Sequence, residues 1–165
     1  LHLSIRRQRQ MCIRDSTRLA YNADYENIDL VAYLREVVED LGPAVRPCKI
    51  QLEAPEEIQF AADRAILVAL IVNELILNAG RHAYPDASGG LIRLQLVLSD
   101  DKAVSISVSD DGVGLPGDFN PALSKRLGTR IAQGLAGQLR GELTRQASTR
   151  GTHLTLVVPL HAAAN

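Results

Sequence analysis

The stretch Asn73-Glu74-Leu75-Ile76-Leu77-Asn78-Ala79-Gly80-Arg81-His82 makes two demands at once on any fold this chain adopts. It lies in a long apolar run in which Ile66, Leu67, Leu70, Ile71, Leu75 and Leu77 recur at the three- and four-residue spacing of a packed helix. Such a helix belongs in a core. Yet Glu74 and Asn78 are four apart, and Arg81 and His82 lie three and four beyond Asn78, so one stripe carries a carboxylate, an amide, a guanidinium and an imidazole. Burying polar groups without partners costs about 1 to 3 kcal/mol each. Four of them on one stripe therefore imply something polar beside the helix. Gly80 costs about 1 kcal/mol against Ala within a helix, which means that the helix ends there or that another segment packs closely.

Around this helix the pattern predicts an α/β chain. Asp29 is a candidate N-cap after a short lead-in at Ile28-Asp29-Leu30. Leu30, Val31, Leu34, Val37, Val38 and Leu41 then form an apolar stripe, with Arg35, Glu36, Glu39 and Asp40 facing water and Gly42-Pro43 ending the helix. Ile50 and Leu52 alternate with Gln51 and Glu53 as in a strand buried on one face, and Ile58-Gln59-Phe60 gives a second short strand. Asp63 is placed to cap the long helix, which runs to about Ala83. After the loop 85–90, residues 91–98 and 104–109 alternate as two antiparallel strands joined by Ser99-Asp100-Asp101-Lys102. An irregular stretch follows, long enough to read as a lid or binding segment. Order resumes near Leu127, with Ile131, Leu135 and Leu139 on one helical face and Gly141 as the stop. Residues 142–146 and 153–160 read as the last two strands.

A chain of 165 residues fits one domain with a real core, and 46% hydrophobic with 22% charged residues is globular usage. A net charge of -1 supplies no basic field for nucleic acid, and with 4% aromatics and no Trp there is no stacking platform for single strands. Cys12 and Cys48 share no spacing with a metal site or disulfide framework, so a reduced, cytoplasmic setting is expected. No apolar run approaches the ~20 residues of a membrane span, and no membrane contact is expected of this piece.

Asp110-Asp111-Gly112-Val113-Gly114 follows directly on a predicted strand. Glycines there let the backbone approach a ligand closely while Asp110 projects at the strand's mouth. A carboxylate so placed can accept from an exocyclic amine, a bond worth about 1.5 to 3 kcal/mol, enough to select adenine over a base offering a carbonyl. Glu74 with Asn78 reads either as a buried polar pair or as a site in which the Asn78 amide oxygen meets a hard cation such as magnesium. Arg81 is a phosphate-neutralising group or a solvated surface residue, and His82 a site residue or a helix-end partner.

In this order the motifs resemble the ATP-binding domain of bacterial sensor histidine kinases, a fold similar to that of type II topoisomerases, the heat-shock chaperone of that class and mismatch-repair proteins. Ile71-Val72-Asn73-Glu74-Leu75 with Asn78-Ala79-Gly80-Arg81-His82-Ala83-Tyr84-Pro85 is most similar to the subfamily often attached to light or redox sensory domains, and the resemblance covers about residues 25–160. It implies a two-layer α/β sandwich with three main helices on one face of a mixed, largely antiparallel sheet, and an ATP lid. It also implies that Asn78 binds Mg2+, that Asp110 reads adenine, and that Gly112 and Gly114 shape the pocket. The lid from Leu115 to Arg126 would close over phosphates also met by Arg81, His82 and the helix start at Gly128 and Thr129. Gly151 and Thr152 would support the wall near Asp110, and Glu74 would orient or activate the attacking group.

The chain departs from the family pattern at Arg81, where Lys is usual, and at Thr129-Arg130, where a second glycine often follows Gly128. His2 lacks the setting of a phosphoacceptor histidine. The resemblance therefore implies a fragment of a histidine protein kinase: residues 1–16 a non-native or disordered tail, 17–25 the end of a dimerisation and phosphoacceptor region, 26–160 the ATP-binding domain, and 161–165 a tail. Such a fragment binds Mg-ATP but phosphorylates nothing unless the phosphoacceptor helices are supplied, and its downstream partner is a response-regulator receiver domain. Two other readings are a nucleotide-binding regulatory module and a serine kinase of the anti-sigma type acting on a partner protein.

Overall fold

The computed structural model describes residues 27–86, 88–99, 102–114, 120–124, 126–148 and 150–160. Strand β1 (Asn27–Asp29) leads into helix α1 (Leu30–Leu41). Asp29 caps that helix as its sequence position requires: its Oδ1 accepts from the Val31 amide at 2.9 Å and from the Ile58 amide at 3.2 Å. One carboxylate thus starts the helix and holds the segment that becomes β3 (Gln59–Ala61), which pairs antiparallel with β1. The Gly42–Val45 turn and β2 (Lys49–Glu53) lie between, and helix α2 (Ala62–His82) follows β3.

Strands β4 (Leu91–Ser99), β5 (Ala103–Asp110), β6 (Glu142–Arg145) and β7 (His153–Pro159) complete a five-stranded sheet in the order β2-β4-β5-β7-β6. Among the described residues, only the β2–β4 pair of this sheet is parallel. Helix α3 (Leu127–Gln138) precedes β6, after a short 3-10 turn at Pro121–Leu123. The three helices pack on one face of the sheet, where Ile92, Leu94, Leu96, Val104, Ile106, Val108, Leu156 and Val158 form the core with them. The alternate strand positions, among them Arg93, Gln95, Ser105 and Ser109, lie on the opposite face.

Four expectations about the helices need correction. Asp63 is not the cap of α2: Ala61 holds that position without a side-chain bond, and Asp63 sits in the first turn, its Oδ1 accepting from the Arg64 amide at 2.8 Å. A carboxylate there still favours the positive end of the helix dipole. The buried face of α2 is Ala65, Val68, Ala69, Ile71, Val72, Leu75, Ile76 and Ala79, while Leu70 is 48% exposed. Likewise α3 buries Thr129, Ala132 and Ala136, with Leu139 just beyond, and leaves Ile131 52% exposed. Small residues turn inward at the α2–α3 contact because they let two helix backbones approach. The α3 stop also differs, since Arg140, with φ 53°, takes the left-handed position, and the Gly141 amide reaches the Ala136 carbonyl at 2.9 Å. Gly80 is explained by close packing, because a Cβ there would lie 2.8 Å from Val45 Cγ1.

Arg64 ties the far end of α2 to the rest. Its guanidinium donates to the carbonyl oxygens of Leu160 (2.9 Å), Pro159 (2.7 Å) and Leu139 (3.2 Å), and lies 4.8 Å from the centre of the Phe60 ring. Burial pushes its pKa below the usual arginine value, chiefly by desolvation. Arg64→Ala is expected to lower stability by about 1 to 2 kcal/mol in urea unfolding with an unchanged m-value. Thr155 offers the opposite case: among the described residues its buried Oγ1 has no hydrogen-bond partner. Thr155→Val keeps the shape and removes the unsatisfied group, so the unfolding midpoint should rise by about 1 kcal/mol equivalent. An unchanged or lower midpoint would show that the hydroxyl is satisfied in solution.

Candidate functional site

A cavity opens where the C-terminal half of α2, the ends of β5 and β7 and the start of α3 converge. Helix α2 lines it with Leu75, Asn78, Ala79, His82 and Ala83, the last just past the helix. The sheet side contributes Val108, Asp110, Gly114, Thr152 and Leu154. Arg126 and Thr129 complete it from the start of α3. Its apolar lining comes from Leu75 and Ala79 on the helix and from the paired Val108 and Leu154 on the sheet. The rest of the lining supplies an amide, an imidazole, a carboxylate, a guanidinium and hydroxyls.

Asp110 occupies the last position of β5, paired with Ile92 and in the same inward row as Val104, Ile106 and Val108. A charge in that row is buried, and the fold answers it with backbone donors: Oδ1 accepts from the Gly112 amide at 3.0 Å and the Thr152 amide at 3.2 Å, while the Asp110 amide donates to the Thr152 carbonyl at 3.0 Å. Both backbone amides donate to Oδ1, and the Thr152 side chain also hydrogen-bonds the carboxylate. Burial nevertheless dominates and pushes the carboxyl pKa up, against the lowering effect of those three bonds. The approach of β7 requires glycine. Gly151 has φ 71°, and a Cβ on it would fall 1.8 Å from the Asp110 carbonyl oxygen.

On the helix side the Asn78 Nδ2 donates to Glu74 Oε1 at 2.8 Å. The amide nitrogen is thus spent on Glu74, and the amide oxygen is left as the acceptor of a residue that lines the cavity. Glu74 lies behind Asn78 and directly under α3, where a Cβ on Gly128 would come within 1.8 Å of Oε1. Glycine at that position is what lets the start of α3 lie over the carboxylate. Among the described residues no group of three or more His, Cys, Asp or Glu side chains is placed to hold a metal ion.

Of the residues singled out from sequence, Asn78, His82, Asp110, Gly114, Thr129 and Thr152 meet at the cavity. Glu74, Gly112, Gly128 and Gly151 lie immediately behind them, as supports rather than lining. Arg81 is exposed and outside the lining, because it sits on the flank of α2 one residue from the His82 stripe. Leu115 lies outside the described residues. The sequence marks Arg126 only as the last residue of a lid segment, and it reaches the cavity because α3 starts at the cavity rim.

The histidine kinase-like ATPase domain family matches residues 44–158 of this chain. The chain is 29% identical over 112 residues to blue-light-activated histidine kinase 2 of Erythrobacter litoralis, covering 68% of this chain and 32% of that protein. It is 28% identical over 151 residues to the sensor histidine kinase PdtaS of Mycobacterium tuberculosis, covering 90% of this chain and 30% of that one. The chain thus spans about a third of the length of these curated relatives. The histidine kinase domain of the Erythrobacter litoralis EL346 blue-light-activated histidine kinase has the same fold, with a TM-score of 0.76 at 26% identity over 88% of this chain and 69% of that one. With the family match extending over most of the described fold, including both walls of the cavity, this chain belongs to the histidine kinase-like ATPase domain family.

Proposed function

We propose that this chain is the catalytic ATP-binding domain of a two-component sensor histidine kinase. It binds Mg-ATP and donates the γ-phosphoryl group to a histidine on dimerisation helices outside residues 26–160, from which a response-regulator receiver aspartate takes it. Residues 17–25 would be the end of those helices, and ATP supply sets the domain in the cytoplasm. Among the described residues no helix is long and apolar enough to cross a membrane. The observation that carries the reading is a buried carboxylate, Asp110, at the mouth of an apolar slot in a domain of this family.

Each residue then has a task. Val108, Leu154, Leu75 and Ala79 offer apolar walls for the base, and Asp110 accepts from its exocyclic amine with the oxygen that the backbone leaves free. Magnesium prefers oxygen ligands and needs few from the protein when phosphates and water supply the rest, so the donor set fits: Asn78 would hold it through its amide oxygen. Bound there, the ion would neutralise phosphate charge. His82 and Arg126 surround the phosphates with positive or donor groups, and the amides at Gly128 and Thr129 add the helix start. Residues 115–126, Leu115 included, would close over them. Glu74, fixed by Asn78, orients the attacking imidazole. In transfer, a bond forms between the imidazole nitrogen and the γ-phosphorus as the bond to the bridging oxygen breaks and ADP leaves. The protein's contribution is positioning and charge neutralisation.

Titration of a fluorescent ATP analogue with magnesium should give micromolar binding by this chain. Asn78→Ala and Asp110→Asn should each weaken it about tenfold or more, 1.4 kcal/mol being a factor of ten. Asp110→Asn carries a second expectation of opposite sign. The folded carboxyl binds its proton more tightly than an unfolded one, so its ionisation at pH 7 costs stability, a cost that fades as pH falls through the folded value. The Asn variant should therefore melt no lower than the parent at pH 7. Analogue binding, which needs the ionised acceptor, should weaken in a mildly acidic window above that of an ordinary surface carboxylate. No binding by folded parent chain in the presence of magnesium would sink the reading.

A further inference from the structure

The segment that carries Asp110 into the cavity is tied down by the next residue, an aspartate with a different set of partners. Tyr84, two residues past the end of α2, donates its hydroxyl to Asp111 Oδ1. The Leu91 amide at the start of β4 donates to that same oxygen at 3.1 Å, and the Asp111 amide donates back to the Tyr84 Oη at 3.3 Å. The hydroxyl also lies 3.2 Å from the Leu91 carbonyl oxygen. The ring has a seat made for it, since a Cβ on Gly90 would fall 2.2 Å from Tyr84 Cε1. Alongside, the Val113 amide donates to the Ala83 carbonyl at 2.9 Å, and that carbonyl oxygen would lie 2.2 Å from a Cβ on Gly112.

The end of α2, the start of β4 and the exit of β5 therefore meet at one carboxylate oxygen. Neither Tyr84 nor Asp111 lines the cavity, but Ala83 and Asp110, one residue before each, both do. Both groups are held in the protonation states that the contact needs. Burial, aided by the Asp111 hydrogen bond, raises the Tyr84 hydroxyl, while the Tyr84 and Leu91 bonds hold Asp111 below the usual carboxylate range.

We propose that Tyr84 and Asp111 are a positioning pair for the nucleotide pocket, fixing the strand wall that bears Asp110 against the helix wall that bears Asn78. The pair thereby sets both nucleotide affinity and discrimination between bases. This rests on the ATP-binding reading above and extends it to residues that touch no nucleotide. Discrimination depends on the pair because an amine-reading carboxylate rejects a carbonyl-bearing base only when it is held in place.

The test titrates fluorescent ATP and GTP analogues, with magnesium, into the parent, Tyr84→Phe, Asp111→Ala, Asp111→Asn and Arg64→Ala. Tyr84→Phe keeps the ring and loses one hydroxyl, and it should weaken ATP-analogue binding about fivefold, with Asp111→Ala at least as weak. In both variants the preference for the ATP over the GTP analogue should shrink. Asp111→Asn, whose amide oxygen can still accept from Tyr84 and Leu91, should retain most of the affinity. Arg64→Ala lowers stability at the opposite end of the fold and should leave the preference between analogues unchanged, which separates positioning from loss of fold. Parent-like affinity and preference in both Tyr84→Phe and Asp111→Ala would overturn the pair alone. No binding by the parent would overturn the pocket reading and the pair with it.

Discussion

A carboxylate at the inward end of a central strand costs free energy unless backbone donors come to it, and meeting that requirement at Asp110 accounts for much of the local architecture. The donors are the amides of Gly112 and Thr152, one from the chain leaving β5 and one from the chain entering β7. Bringing both to one oxygen packs the exit of β5 against the entry of β7. The space left is too small for a side chain at Gly151, and Gly114 stands against the Gly151 carbonyl with φ 78°, while Gly112 is closed off by the Ala83 carbonyl. Gly151 is a consequence of a buried charge, and the buried charge is what the cavity offers to a ligand.

Helix α2 carries the complementary constraint. Its first half is core against the sheet and α1, and its second half is one wall of the cavity. Asn78 and Glu74 resolve the conflict by bonding each other, so that polar atoms on a packed helix are satisfied at one end and available at the other. Arg64 anchors the N-terminal end to three carbonyls, and Tyr84 anchors the chain just beyond the C-terminal end. A helix fixed at both ends keeps its site residues in register with the strands they face.

The elements were largely legible because their periodicities are strong. The β4–β5 hairpin alternates without interruption, α1 has its cap and its stop written beside its apolar stripe, and the chain order of the motifs led to the family. Site residues were legible where spacing carries information: Asn78 and His82 are four apart on a helix, and Asp110 stands at a strand end before paired glycines. What was misread depends on neighbours. Leu70 and Ile131 are more hydrophobic than Ala69 and Ala132, yet the alanines face inward, because close helix packing rewards smallness over transfer free energy at those positions. Asp63 stands two residues past the cap, a distinction set by where β3 stops pairing.

Taken alone, the amino-acid sequence determined the element types and placed Asn78 and Asp110 among the candidates, since these follow from local spacing and residue chemistry, while the order of its motifs implied the two-layer class through the family resemblance. Tertiary structure decided which of them work together. Arg81 stays out of the cavity on the flank of α2, while Arg126 enters it from the start of α3. The meeting of Tyr84, Gly90, Leu91 and Asp111 joins a helix end to two strands, and no periodicity in the chain announces it. Side chains far apart in sequence become one site only when packing sets their distances, and those distances come from the sum of contacts over the whole core.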